Sequence, residues 1–570
     1  MNRKYIRNTA ILFGSMTITK IVGAVFKIPL ANVLGGTGMG YFSTAYGLYS
    51  PVFALTAAGI PSVMMRLTAQ NIAAGRPGNA LKTRRTAMII FSAAGLLGSL
   101  IVALFADFFA DHIACSPEST PAVIAIAPAV MICCVASVIR GYHEGLSDVV
   151  PSAAAAVAEA VSRAVVGLAA AYGVIFWAKS RFEQGGDILG VVYPTYAEAF
   201  SAVLPIAAAG AVAAVSVSEL CGLLTLLFSD KKRKLPKVID EPTDRKRVIA
   251  LRLARELIPV AASALVMNCV SFVDLLTVTR TLMGTVQQHT GFFTEYFPEA
   301  IAQCGGTDGL ANFMYGSYTG IAMTLFMLIP SFAGMTEKTA LPEIAAAWER
   351  KDTAAAAGHC CTMFRAAAVI GFPACAGAAV LGKPILSALY SQRTLEVSVC
   401  AGAFAILCAG GFFMIIASGM FGVFQAIGKA QIPLLLMTAS VGIKAILNPL
   451  LMSVPQLNIA GAALASAAGY IFMAVAGSLL LKKYLSPEIS VFRCVRRPLI
   501  ASLACAACAG TVYHLLPKEM NELFCVAVSV ISGAFIYGIS LIINKDFRRN
   551  RQLMKTQAFF SQKHLKNPQK

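Results

Sequence analysis

Long apolar runs recur along almost the whole chain, and they constrain its fold more than any other feature. Each run has at least the length, about 20 residues, that a helix needs to cross the hydrocarbon core of a bilayer. Fourteen runs lie at residues 8–34, 42–74, 86–110, 121–142, 151–178, 197–228, 250–282, 312–347, 359–382, 398–426, 431–452, 458–481, 498–516 and 522–543. Since a backbone in lipid must satisfy its own hydrogen bonds, these runs predict an all-α polytopic membrane protein with 14 transmembrane helices.

Composition agrees with this class and argues against others. Of the 570 residues, 57% are hydrophobic and only 13% are charged. The formal net charge of +19 does not indicate nucleic-acid binding, because the basic residues lie in short segments between apolar runs and are not interleaved with aromatic residues. The first run is longer than the apolar part of a signal peptide, so we expect it to remain as the first helix. The six histidines show no ligand spacing, and we predict neither a metal site nor a cofactor.

The distribution of cations predicts the direction in which the chain crosses the membrane. Short loops rich in lysine and arginine face the cytoplasm. If the N-terminus is inside, the connections after the second, sixth and twelfth helices and the C-terminal tail should be cytoplasmic, and all of them are basic. The connection 283–311 should be external, and it contains no lysine or arginine. We therefore expect a protein of the bacterial plasma membrane with both termini in the cytoplasm.

Internal repetition predicts two pseudo-symmetric lobes of six helices each. Tyr41 and Tyr46 open the second helix, and Tyr315 and Tyr318 open the eighth. Paired lobes of this kind are typical of transporters with a binding site near the bilayer midplane. The predicted parts are an N-terminal lobe at 1–228, a basic cytoplasmic linker at 229–249, a C-terminal lobe at 250–482, helices thirteen and fourteen at 483–544, and a basic cytoplasmic tail at 545–570.

Two lysines in the first predicted helix are the leading candidates for a functional site. A charged side chain near the bilayer centre costs about 2.5 to 3.5 kcal/mol on insertion scales, so it calls for a functional explanation. Lys20 lies roughly 18 Å into the membrane at about 1.5 Å per residue, too deep to reach the interface, and we expect it to line a cavity. Lys27 lies two turns further on nearly the same face, where it could also reach the outer surface.

Further charges in the predicted spans each have a functional and a structural interpretation. Lys444 could face a cavity or form a buried ion pair. Glu159 and Arg163 have the i, i+4 spacing that lets them pair with each other, and they could instead contact a ligand. Asp274 could neutralise a lysine or bind a coupling cation.

Two more charges, Arg140 and Glu144, lie at a predicted cytoplasmic turn, where we expect them to be solvated. At mid-depth of the predicted spans, cations outnumber carboxylates. The predicted cavity should therefore prefer an anion, and lysine and arginine are suited to phosphate groups.

Short motifs, in order along nearly the whole chain, resemble those of a known family. They include Thr19-Lys20 with Gly23, Lys27-Ile28-Pro29-Leu30-Ala31, Gly59-Ile60-Pro61, Arg140-Gly141-Tyr142, Tyr315-Gly316, Leu341-Pro342-Glu343-Ile344 and Lys444. This pattern resembles the stage V sporulation protein B and MurJ-like flippases of the MOP (multidrug/oligosaccharidyl-lipid/polysaccharide) exporter superfamily. The resemblance implies export of undecaprenyl-pyrophosphate-linked saccharides, such as the peptidoglycan precursor lipid II, from the inner to the outer leaflet.

The resemblance also implies which residues bind the substrate. Basic residues of the first helix face a central cavity in that family and bind the pyrophosphate; Lys20 occupies the matching position and Lys27 is about one residue out of register. An arginine expected midway along the second helix is absent, as is one expected near Ser317 and Tyr318 in the eighth. The sporulation or polysaccharide branch therefore fits better than the Gram-negative MurJ pattern.

Together these observations predict an alternating-access flippase that is not an enzyme. Lys20, Lys27, Lys444 and Arg163 would bind the substrate. Asp274 and Glu159 would serve coupling or charge pairing, with sodium ions, protons or the membrane potential as the energy source. The expected partners are a polyprenyl-pyrophosphate-linked saccharide and membrane lipids, without nucleic acid, and we expect a monomer.

Two other functions were weighed against the flippase. The main alternative is a cation-coupled multidrug antiporter of the MATE type that uses Asp274. A membrane polymerase or ligase is a further alternative, but connection 283–311 offers no basic residue to hold a pyrophosphate.

Overall fold

The computed structural model describes residues 3–232, 243–485, 490–517 and 520–543, and these residues are almost entirely helical. The first ten helices are α1 (Arg3–Thr56), α2 (Ile60–Ala73), α3 (Pro77–Leu104), α4 (Ala106–Phe108), α5 (Thr120–Gly145), α6 (Val150–Glu183), α7 (Tyr196–Lys232), α8 (Lys246–Gln288), α9 (Thr290–Tyr296) and α10 (Pro298–Gln303). The others are α11 (Thr307–Gly316), α12 (Thr324–Glu349), α13 (Thr353–Val380), α14 (Gly382–Leu389), α15 (Thr394–Ala426), α16 (Gln431–Met452), α17 (Asn458–Tyr484), α18 (Val491–Leu515) and α19 (Glu522–Ile543). Residues 233–242 of the predicted linker and the whole predicted tail lie outside the described residues.

The predicted all-α polytopic membrane fold is confirmed. Within the described ranges, 13 helical segments are long and apolar enough to cross a membrane. The first of them, Gly14–Ala73, is 60 residues long and contains the first two predicted spans. The two predicted spans are divided at Gly35, whose φ of 63° and ψ of −171° interrupt the helical backbone. Glycine adopts this positive φ without the steric cost that a side chain would add.

The second predicted span, 42–74, is itself divided by a proline. α1 ends at Thr56, and α2 begins at Ile60 with Pro61 in its first turn. Because proline has no backbone N–H to donate, it fits the first turn of a helix and not the interior. Pro61 therefore begins a new helix, whereas the sequence predicted it inside a continuous one.

The eighth predicted span changes its helical geometry near its middle. α11 and α12 are joined by Ser317–Met323, where the hydrogen bonds follow the wider π-helical pattern. Such segments are frequent at functional sites. At the start of this region Gly316 lies directly against the backbone of Gly36 and Gly40 in α1, so that any side chain at position 316 would collide with it. Glycines on both helices thus permit the close crossing.

The structure divides into two compact units. The first comprises Met1–Leu325, Tyr390–Ala403 and Leu434–Gly469, and the second comprises Phe326–Leu389, Phe404–Pro433 and Tyr470–Lys570. The second unit has a large apolar core to which α13, α15 and α18 contribute. A disulfide between Cys361 and Cys494 joins the N-terminal ends of α13 and α18. This disulfide was not predicted from the sequence.

Candidate functional site

Lys444 of α16 and Asp274 of α8 form a buried ion pair in the first unit. The Lys444 Nζ lies 2.6 Å from the Asp274 Oδ2. Asn448, one turn along α16, donates a hydrogen bond from Nδ2 to the Thr277 Oγ1 at 2.7 Å and another to the Asp274 Oδ1 at 3.4 Å. Lys444 is only 3% exposed. Of the two interpretations of Lys444, the buried ion pair is therefore the arrangement that this conformation shows.

A second cluster connects α6 with α7 and α5. The Arg163 guanidinium donates to the Ser218 Oγ at 3.2 Å and to the Glu219 Oε1 at 3.3 Å. Glu159 accepts a hydrogen bond from the Arg140 Nη2 at 2.5 Å. The i, i+4 pair of Glu159 with Arg163, one of the two interpretations of these residues, is therefore not the arrangement that this conformation shows. Each side chain reaches a partner on a neighbouring helix, and such partly buried charge-assisted bonds outweigh the few tenths of a kcal/mol of an i, i+4 pair.

The prediction that Arg140 is a solvated turn charge is wrong. Arg140 lies within α5, and its side chain is 27% exposed and paired with Glu159. Glu144 lies one turn further on, in the last turn of α5, and is half-buried. The helix continues past the predicted turn, which carries Arg140 into contact with α6.

The two lysines of α1 have a different environment. Lys20 is exposed and Lys27 is half-buried. The Lys27 Nζ lies 3.5 Å from the Thr324 Oγ1, a long hydrogen bond to a neutral group. No carboxylate lies within ion-pair distance of Lys27 among the residues that the structure describes, and Arg163 is close enough to act on it electrostatically. This face of α1 therefore carries two positive charges, and the hydrogen-bond partner of Lys27 is a neutral hydroxyl group.

A network of charged groups holds the break at Gly35 in α1. Arg393 donates hydrogen bonds of 2.9 Å to the carbonyl oxygens of Asn32 and Val33. The backbone N–H of Gly36 donates to the Glu396 Oε1 at 3.1 Å, and Arg393 and Glu396 lie 3.7 Å apart. These bonds satisfy backbone groups that an interrupted helix leaves without intrahelical partners.

Sequence reasoning overlooked three contributors to these sites. It did not single out Glu219, the partner of Arg163, or Arg393. Glu396 was also overlooked. The signal that could have found Arg393 and Glu396 is the Gly35-Gly36 pair, which breaks a long apolar run and requires partners for the exposed backbone groups.

Two family models match different parts of the chain. Residues 5–181 match a family described as polysaccharide biosynthesis protein, and residues 311–535 match the family of the lipid II flippase MurJ. Two curated proteins of Bacillus subtilis (strain 168) are similar over most of their length. Stage V sporulation protein B is 24% identical over 96% of this chain and 96% of its own. The lipid II flippase MurJ is 21% identical over 85% and 84%.

Solved structures share the fold. A lipid II flippase MurJ in an inward closed conformation superimposes with a TM-score of 0.68 at 13% identity, over 95% of this chain and 99% of that one. An inward-facing multidrug MATE transporter of the MOP superfamily gives a TM-score of 0.60 at 15% identity, over 83% and 97%. The fold is shared with these transporters. The two matched regions and the two relatives support a flippase similar to stage V sporulation protein B and MurJ.

Proposed function

We propose that the protein is an alternating-access flippase that moves undecaprenyl-pyrophosphate-linked saccharides from the inner to the outer leaflet of the plasma membrane. The observation that carries the proposal is the positive face of α1, where Lys20 is exposed and Lys27 has a hydroxyl partner and no carboxylate within ion-pair distance among the described residues. A pyrophosphate brings negative charge to this face, and its bonds to ammonium groups are charge-assisted. Relatives named for lipid II flipping and for polysaccharide biosynthesis support this class of substrate.

Each basic residue of the proposed binding site has a distinct role. Lys20 makes the main contact with the pyrophosphate, and Lys27 assists from two turns away. Arg163 and Lys444 are held by Glu219 and Asp274 in this conformation, so they reach a ligand only when the transport cycle opens those pairs. Both termini face the cytoplasm, the polyprenyl chain stays in the lipid, and no covalent step is involved.

The charge pairing argues against the cation-coupled antiporter. An antiporter for cationic drugs needs a membrane carboxylate that can bind the coupling ion or the drug. Asp274, the candidate for that role, accepts hydrogen bonds from Lys444 and Asn448, so its charge is already balanced. Sodium- or proton-dependent efflux of a cationic dye would favour the antiporter over the flippase.

A reconstituted flipping assay tests the proposal. The purified protein is placed in lipid vesicles with lipid II or with a polyprenyl-pyrophosphate sugar unrelated to peptidoglycan, and movement of the head group is followed. Lys20→Ala should slow flipping by about tenfold or more, since a hydrogen bond to a charged group contributes about 1.5 to 3 kcal/mol. Lys20→Arg should retain part of the rate.

Lys179→Ala is the matched control, because Lys179 is another exposed lysine, paired on the surface with Glu183 of the same helix. It should flip at the wild-type rate. A wild-type rate for Lys20→Ala would remove Lys20 from the site. Failure of the wild-type protein to move either lipid would contradict the flippase proposal as a whole.

A further inference from the structure

A basic cleft lies between α2 and α8, and its lining does not include the lysines of α1. It is a cavity of about 880 Å³ whose lining includes Arg66 of α2 and Arg252, Arg255 and Glu256 of α8. Three guanidinium groups therefore face one cleft with a single carboxylate among its lining residues. None of the residues proposed to contact the pyrophosphate belongs to this cleft.

The single carboxylate does not neutralise the cleft. The Arg66 Nη2 lies 2.5 Å from the Glu256 Oε2, and the Arg252 Nε lies 3.6 Å from the Glu256 Oε1. Arg252 also donates to the Gln70 Oε1 at 2.8 Å. Arg255 is exposed and has no ion pair or side-chain hydrogen bond within the described part of the chain. The cleft thus keeps a net positive charge and at least one guanidinium ready for an anion.

An apolar groove lies beside the cleft at the same level of α8. It has a volume of about 470 Å³, and its lining includes Leu55, Phe91, Leu257, Ile258 and Leu265. Ile258 is 67% exposed, so the groove is open to its surroundings. Successive residues of α8 alternate between the two cavities, since Arg255 and Glu256 line the cleft and Leu257 and Ile258 line the groove.

This pairing of surfaces fits an amphiphile with an anionic head. A guanidinium binds a phosphate through two parallel hydrogen bonds, which a lysine ammonium does not offer. Basic pockets between membrane helices on the cytoplasmic side bind the head groups of anionic lipids. A soluble anion would use the cleft and leave the groove empty, whereas a phospholipid would use both. We therefore propose that the cleft and groove form a binding site for an anionic phospholipid, with the phosphate on Arg66 and Arg255 and an acyl chain in the groove.

Lipid retention by the full-length protein tests this site without any transport measurement. The protein is purified in a neutral detergent, phosphatidylglycerol or phosphatidylcholine is titrated, and bound lipid is counted by native mass spectrometry. The wild type should retain phosphatidylglycerol in preference to phosphatidylcholine. Arg255→Gln should weaken phosphatidylglycerol binding about fivefold and Arg66→Gln/Arg255→Gln about thirtyfold, from about 1 kcal/mol per arginine near a charged surface. Ile258→Ser should also weaken it, because it makes the groove polar.

Arg280→Gln provides the matched control. Arg280 is an exposed arginine on the same helix, remote in sequence from the cleft. It should retain phosphatidylglycerol as the wild type does, and thermal unfolding of every variant reports whether it is folded.

Three results would overturn the proposal. One is unchanged phosphatidylglycerol binding in the folded double variant. Another is inorganic phosphate or glycerol phosphate displacing the lipid at equal concentration, which would make the cleft a site for soluble anions. The third is a polyprenyl pyrophosphate displacing it at equal concentration, which would make the cleft part of the transport path.

Discussion

The lysine at position 444 and the lysines of α1 are all cations in predicted membrane spans, but their surroundings are opposite. Lys444 is buried with a carboxylate at 2.6 Å and an asparagine completing the cluster. Lys20 is exposed, and Lys27 has only a long contact to a hydroxyl oxygen and the influence of another cation. The first arrangement has a fixed counter-ion, and the second is the one that the proposed flippase would use to bind an anion.

The contrast shows that depth in the membrane does not by itself identify a functional charge. An intramembrane cation is costly in either case, but a buried pair offsets that cost with a fixed counter-ion. A ligand can offset it only when the cation remains accessible. Burial and a fixed counter-ion therefore indicate a structural role for Lys444, and stability measurements can test whether the lysines of α1 differ from it.

The largest change in stability is expected at the ion pair of Lys444 and Asp274. Lys444→Met leaves Asp274 buried without its counter-ion and should lower the free energy of unfolding by about 3 to 5 kcal/mol. Denaturant unfolding in detergent measures it. The double variant Lys444→Met/Asp274→Leu should recover most of the loss, because neither charge is then left unpaired. Single and double variants of equal stability would contradict the structural role of this pair.

A smaller effect is expected for the coupling energies of Glu159, which test whether its partner is Arg140 or Arg163. A double-mutant cycle on Arg140→Gln and Glu159→Gln should give a coupling energy of about 1 to 2 kcal/mol, since these side chains are hydrogen-bonded across helices. The same cycle on Glu159→Gln and Arg163→Gln should give less than about 0.5 kcal/mol. A larger coupling in the second cycle would indicate that Glu159 pairs with Arg163, as their i, i+4 spacing allows.

A smaller change in stability is expected for Lys27→Met. The variant loses one long bond to Thr324 and also the repulsion from Arg163, so the free energy of unfolding should change by less than about 1 kcal/mol. Flipping should nevertheless slow, because an ammonium group of the positive face is lost. A destabilisation as large as that of Lys444→Met would place Lys27 among the structural charges.

The smallest change in stability is expected at Lys20. Because its side chain is exposed, Lys20→Met should leave the free energy of unfolding within about 0.5 kcal/mol of the wild type. Its flipping rate should fall as in Lys20→Ala. Normal stability combined with lost flipping would distinguish Lys20 most clearly from Lys444. A marked loss of stability in Lys20→Met would contradict a binding role that is separate from folding.

Sequence reasoning predicted the membrane class and most helices because apolar length is a local property. Pro61 was placed inside a helix, because the apolar run 42–74 is continuous in sequence. That the run forms two helices, α1 and α2, is visible only in the structure. Sequence reasoning named Lys20, Lys27, Lys444, Arg163, Asp274, Glu159, Arg140 and Glu144 as candidate charges, but the assignment of partners was partly wrong. Lys444 and Asp274 are 170 residues apart, and no local pattern indicates such a contact.

The sequence by itself determined that this chain crosses a membrane repeatedly and carries cations within the crossing segments, since transfer of apolar and charged groups into lipid depends mainly on residue type. Only the tertiary structure decided which cations are balanced. Counter-ions come from other helices at hydrogen-bond distance, and their approach depends on helix packing, such as the close crossing of α1 and α11 at glycines. Helix packing is therefore the reason why Lys444 is buried against Asp274 while Lys20 of α1 is exposed.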